Sequence, residues 1–136
     1  WEFCASTSKI IRDVQVLTNG QGILALDCSH WMVSDDTVEH LATAEGLIKG
    51  LTPGSYAVPV PIEKVMPSIA RASKAATADF CARAPGKSEQ KGLRLLDDDG
   101  NNWTAKPFDS MAIGCGAAMR TACIGLVFRR DMHELI

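Results

Sequence analysis

At 136 residues the chain has room for one domain at most, and an apolar content of 46% supports a buried core rather than disorder. Its 14 basic and 16 acidic residues leave a net charge of −2, with no basic stripe suited to nucleic acid and no acidic run longer than Asp97-Asp98-Asp99. No apolar run approaches the roughly 18 residues needed to span a bilayer, so no membrane partner is expected.

The chain opens on Trp1-Glu2-Phe3, without a methionine or a signal-peptide pattern, which points to a start inside a longer protein. Lys9 to Leu17 carries apolar residues at 10, 11, 14 and 17, a helical spacing that Asn19-Gly20-Gln21-Gly22 should end. Ser34 is placed to cap a second helix, with Asp35 and Asp36 in a first turn where the helix dipole favours negative charge. Val38, Leu41, Ala44 and Ile48 continue that helix to Gly50. Leu51 to Pro61 contains Pro53, Gly54, Pro59 and Pro61 and reads as an irregular connection.

A third helix follows, with Ile62, Val65, Met66, Ile69, Ser73, Ala76 and Phe80 along one face. Pro67 either kinks it or begins it, and Arg83-Ala84-Pro85-Gly86 closes it. Residues 86 to 107 are polar and turn-rich, clearest at Asp99-Gly100-Asn101-Asn102. Gly116 to Phe128 has Arg120 as its single charge and is expected to be a buried helix. Nothing alternates with a two-residue period, so the fold class is all-α. Cysteines stand at 4, 28, 81, 115 and 123, an odd number with no C-x-x-C pair. They indicate neither a disulfide framework nor a zinc knuckle, but reduced, mostly buried thiols in a cytoplasmic protein.

Three features could carry chemistry. Ser34-Asp35-Asp36-Thr37 offers up to four oxygen ligands on a short span, the donor type that magnesium takes; helix capping alone also explains it. His40, four residues after Asp36, shares its helical face and could join a metal site or hydrogen-bond the carboxylate. Gly114-Cys115-Gly116-Ala117-Ala118-Met119-Arg120 is a small-residue loop running into a helix, where backbone N–H groups can hold a diphosphate; tight helix packing explains it equally well. Arg120, in an apolar helix, needs a carboxylate or a phosphate as its partner. Trp31, Trp103 and Phe108 could stack on a base or belong to the core.

Together these segments resemble the ADP-ribosylglycohydrolase family. The likeness rests on Trp31 to Glu45 around Ser34-Asp35-Asp36-Thr37, on Arg83-Ala84-Pro85-Gly86, on Trp103 with Pro107-Phe108, and on Gly114 to Arg120 leading into Cys123-Ile124-Gly125-Leu126. Within the family the arginine-directed hydrolases are most alike. The resemblance implies part of an orthogonal all-α bundle, a single partial domain over residues 1–136 that is truncated at both ends. It implies hydrolysis of the N-glycosidic bond between ADP-ribose and protein arginine side chains, with two Mg2+ ions in the complete fold. Ser34, Asp35 and Asp36 match the family's metal ligands in this segment, and Asp35 is the expected catalytic carboxylate. Gly114, Gly116, Ala117 and Met119 match the loop lining the ADP-ribose pocket. The implied partners are mono-ADP-ribosylated proteins or ADP-ribose, with no nucleic acid and no membrane. The family's opening G-D-A-x-G signature, its H-P-T-G block and its C-terminal D-x-D-S/T segment have no counterpart between Trp1 and Ile136. The alternative is therefore a catalytically incomplete subunit with a structural or ADP-ribose-binding role in a larger assembly.

Overall fold

The computed structural model describes residues 6–51, 62–105 and 109–128, and these form helices and turns without a strand. The all-α expectation is met. The chain divides into two compact units, Trp1–Met32 and Val33–Ile136. The proline-rich connection at 52–61, Phe108 and the opening Trp1-Glu2-Phe3 lie outside the described residues. No described helix is long and apolar enough to cross a membrane.

The first unit is built on α1, Thr7–Leu17. Its start precedes the expected periodic stretch because Ser6 caps it: the Ser6 hydroxyl accepts a hydrogen bond from the Lys9 N–H at 3.3 Å. Lys9 and Asp13, one turn apart, pair at 2.7 Å. The helix ends where expected. Asn19 and Gly20 take positive φ, and the Gly20 N–H returns to the Gln15 carbonyl at 2.8 Å, satisfying an acceptor the terminus would leave open. A short 3-10 turn at Ile23–Ala25 follows.

The second unit is organised by α2, Asp35–Gly50, packed along α3, Ile62–Ala76. The contact face of α2 differs from its apolar line. Ala42, Thr43, Gly46 and Leu47 are buried, whereas Leu41 is 56% and Ile48 74% exposed. Close approach of the two backbones selects this face. A Cβ on Gly46 would stand 2.4 Å from the Ile69 Cα, and one on Gly50 2.7 Å from the Val65 Cα. Small residues therefore line the seam, with Leu47, Val65 and Ile69 filling the space beside them together with Cys123.

Helix α3 starts before Pro67 and runs through it. The proline removes one N–H from the ladder. Its carbonyl is approached by Gly100, where a Cβ would come within 2.3 Å of the Pro67 oxygen and where φ is +71°. Only glycine fits that turn. The turn is held by Asp97 and Asn102: the Asn101 N–H donates to Asp97 Oδ1 at 2.8 Å and the Asp97 N–H to Asn102 Oδ1 at 2.9 Å. Lys74 of α3 donates to the Leu96 carbonyl at 2.7 Å, anchoring the same turn.

Three expectations need correction here. The polar stretch after Gly86 is not all turn, since Lys87–Arg94 forms a helix, α4. It escapes a periodicity reading because Leu93 is its single buried residue; Leu93 joins Ala70, Phe80 and Leu96 in a small core that Trp103 partly covers. Secondly, Gly116 to Phe128 is not one buried helix. It is a loop, a 3-10 turn at Ala118–Arg120 and α5, Thr121–Val127, in which only Cys123 is buried. Among the described residues α5 packs on α2 and, through Cys123, on the cluster of Leu47, Val65 and Ile69, while Leu126 stays exposed. The thiols are corrected too: Cys28, Cys81 and Cys115 are exposed, Cys123 is buried, and all four are free.

Candidate functional site

The site grows from the N-terminus of α2. Ser34 occupies the cap position in extended conformation, φ −69° and ψ 168°, and its carbonyl accepts the Val38 N–H at 3.3 Å. Its side chain makes no capping hydrogen bond. The contrast with Ser6 is informative: at Ser34 the hydroxyl is not engaged in the task that would explain a serine there. Asp35 is buried and Asp36 half-buried in the first turn. The residue before Ser34 is clasped from the far side. Arg83 donates to the Val33 carbonyl, to the Asp79 carbonyl at 2.7 Å, and through Nη2 to both Asp79 carboxylate oxygens at 3.0 Å.

Four residues after Asp35, and so on the same helical face, Glu39 is 0% exposed. Its Oε2 lies 3.2 Å from Arg120 Nη2, and the same nitrogen lies 2.8 Å from Oε1 of Glu89 on α4. The Arg120 side chain is 22% exposed and that of Glu89 8%. Arg120 Nε also donates to the Gly116 carbonyl at 2.8 Å. A partly buried guanidinium thus bridges two carboxylates, the kind of partner the sequence called for.

Two further contacts join the glycine loop to α2. The Cys115 thiol donates to Asp36 Oδ1 at 3.5 Å, and His40 Nδ1 stands 3.2 Å from the Met119 carbonyl oxygen. His40 therefore faces the loop backbone, not the aspartates. The hydrogen bond to Asp36 and that carboxylate's charge push the Cys115 thiol above its ordinary value, which disfavours the thiolate and with it a nucleophilic role. Gly114 and Gly116 meet nothing within 4 Å at their Cβ positions among the described residues. Tight packing, which demands glycine at 46, 50 and 100, does not demand it here. The loop holding Gly114, Gly116, Ala117 and Met119 and the segment holding Ser34, Asp35 and Asp36 are thus brought side by side, 79 residues apart in sequence.

Trp31 is exposed, and Trp103 packs against the small core around Leu93. Glu39 and Glu89 were not singled out from the sequence. Glu39 carried a legible signal, its i, i+4 spacing from Asp35. Glu89 carried none, because its neighbours are not in sequence but across the packed loop.

Burial pushes the Glu89 carboxyl up to about 6; Arg120 opposes the shift, and Glu39, Asp35 and Asp36 add to it. The folded state therefore holds a proton that the unfolded chain releases at its ordinary value of 4.5. Stability from this group is fully present below about 4.5 and is lost as pH rises to about 6. Denaturation midpoints of wild type and Glu89→Gln across that window should show a falling component in wild type that Glu89→Gln lacks. Parallel curves would refute the assignment.

Chemically, Ser34, Asp35 and Asp36 present a hydroxyl and two carboxylates, a donor set of the kind hard divalent cations take. Among the described residues no group of three or more His, Cys, Asp or Glu side chains could hold a metal by itself, so these residues fit part of a cation's shell.

The sequence model of the ADP-ribosylglycohydrolase family matches residues 1–136, and the chain belongs to that family. It is 29% identical over 136 residues to the ADP-ribosylhydrolase ARH1 of Dictyostelium discoideum, covering 96% of this chain and 33% of that protein. A protein of Acanthamoeba polyphaga mimivirus named as an ADP-ribosyl glycohydrolase is 29% identical over 117 residues, covering 85% of this chain and 22% of its own length. The chain spans a third or less of these relatives.

Proposed function

We propose that the protein hydrolyses the N-glycosidic bond between ADP-ribose and protein arginine side chains, with Mg2+ as cofactor. The observation that carries the reading is the juxtaposition of an oxygen-rich helix start with a glycine loop whose open side no described residue fills. Ser34, Asp35 and Asp36 would hold the cation; when bound it supplies charge for orienting the ribose and lowering the pKa of a water. Gly114, Gly116, Ala117 and Met119 line the ADP-ribose pocket, the glycines letting a diphosphate approach the main chain. Asp35 accepts the proton of the water that attacks the anomeric carbon. The carbon–nitrogen bond breaks as the carbon–oxygen bond forms, and the proton passes to the departing guanidino nitrogen. Charge at the anomeric carbon is oxocarbenium-like in such a transition state, and the Asp35 and Asp36 carboxylates favour it.

Incubating the full-length gene product with ADP-ribosylarginine protein and Mg2+ is expected to release ADP-ribose, and chelation should stop it. A folded protein that releases none refutes the hydrolase. One observation favours a second reading, a binding module: the described residues do not complete a metal shell. Calorimetry with ADP-ribose separates the two, since the module binds without turnover.

A further inference from the structure

The Gly114–Met119 loop faces a physical difficulty. Its two glycines pack against nothing among the described residues, and glycine loses more conformational freedom on ordering than any other residue. A loop that must present its backbone to a ligand needs an external brace, because misplacement of about 1 Å can cost about a hundredfold in rate or affinity.

Arg120 has the geometry of that brace. Its Nε grips the loop from inside, at the Gly116 carbonyl. Its Nη2 reaches outward to Glu89 on α4 and to Glu39, which lies on the α2 face that begins at Asp35. One planar fork therefore references the loop to the two helices flanking it. Two further ties among the described residues are weaker: a thiol hydrogen bond at 3.5 Å and a histidine contact at 3.2 Å. Glu39 is fully buried, so its position is set by packing and cannot follow the loop. We propose that Arg120 is a positioning residue, fixing the Gly114–Met119 backbone against α2 and α4 so that it is preformed for the diphosphate of ADP-ribose. The proposal rests on the reading of this loop as the ADP-ribose loop.

Arginine is required by this geometry rather than charge alone. A lysine ammonium can answer the buried carboxylates but lacks the rigid fork that reaches the Gly116 carbonyl at the same time. Removing the charge outright would take from the buried Glu39 carboxylate the guanidinium that faces it at 3.2 Å. The test therefore uses Arg120→Lys and the neutral triple variant Arg120→Met/Glu39→Gln/Glu89→Gln, both in the full-length gene product. ADP-ribose binding is measured by calorimetry, KM and kcat on ADP-ribosylarginine protein, and folding by thermal unfolding. Both variants are expected to fold, and to bind ADP-ribose about ten- to hundredfold more weakly, with the loss expressed mainly in KM. Folded variants with wild-type affinity overturn the proposal and leave the proposed function standing. Variants that unfold make the triad a core ion pair and also overturn it. Absence of ADP-ribose binding in wild type overturns the reading of the loop, and this proposal with it.

Discussion

Asp35→Asn and Asp36→Asn in the full-length protein are each expected to reduce ADP-ribose release by at least about a hundredfold while the fold stays intact. The loss follows from the donor chemistry: an amide keeps the shape of the carboxylate but loses the charge that a hard cation requires, and even indirect partners of metal ligands are worth about 10- to 100-fold. The stability side discriminates more sharply. Arg120 pairs with Glu39 and Glu89, and Asp35, Asp36 and Glu39 each oppose ionisation of Glu89. Removing one negative charge relieves that repulsion. It forfeits a helix-dipole contribution of only about 0.3–1 kcal/mol. The Asn variants should therefore unfold at or slightly above the wild-type midpoint in metal-free buffer. A drop of several degrees, with activity retained, would return Ser34-Asp35-Asp36-Thr37 to the role of a simple helix start.

A second pair of substitutions sets two glycines against each other. Gly46→Val should destabilise by about 3 kcal/mol or more, at the upper end of overpacking costs. Its Cβ would lie 2.4 Å from the Ile69 Cα and 2.8 Å from the Ile69 nitrogen, both backbone atoms of the facing helix. Neither can swing away as a side chain would, so α2 and α3 must separate and expose Leu47, Val65 and Ile69. Gly116→Ala meets nothing within 4 Å, and restricting the unfolded chain stabilises by about 0.4–1 kcal/mol where the conformation permits. It should leave the denaturation midpoint unchanged or raised, yet weaken ADP-ribose binding, because a methyl group occupies space the ligand needs. Urea titration of both variants checks the first half; a destabilised Gly116→Ala would mean the loop glycine serves packing after all.

The elements that chemistry marks locally were legible in the sequence. Asn19-Gly20 ended α1 because a left-handed terminus is a property of two residues and needs no tertiary partner. The start of α2 at Asp35 and its end at Gly50 were readable for the same reason, as was the turn at Asp99 to Asn102. Helix α4 was not, because seven of its eight residues are not buried and a single Leu93 gives no period. The buried face of α2 was misread in part. Leu41 and Ile48 mark an apolar line, but the seam with α3 runs over Gly46 and Gly50, whose lack of a side chain leaves no hydrophobic signal.

The two segments of the site divide in the same way. By itself the sequence determined the all-α class, the family likeness, and the residue types from which a cation and a diphosphate site could be made. Those are consequences of local propensity and of motif spacing within short stretches. Only the tertiary structure decided that the Ser34 hydroxyl is not engaged in capping, that the loop glycines face open space, and that Arg120 ties Gly116 to Glu39 and Glu89. The ion pairs of Arg120 with Glu39 and Glu89 join groups far apart in the chain. Such contacts are set by packing of whole helices, and no local pattern encodes them.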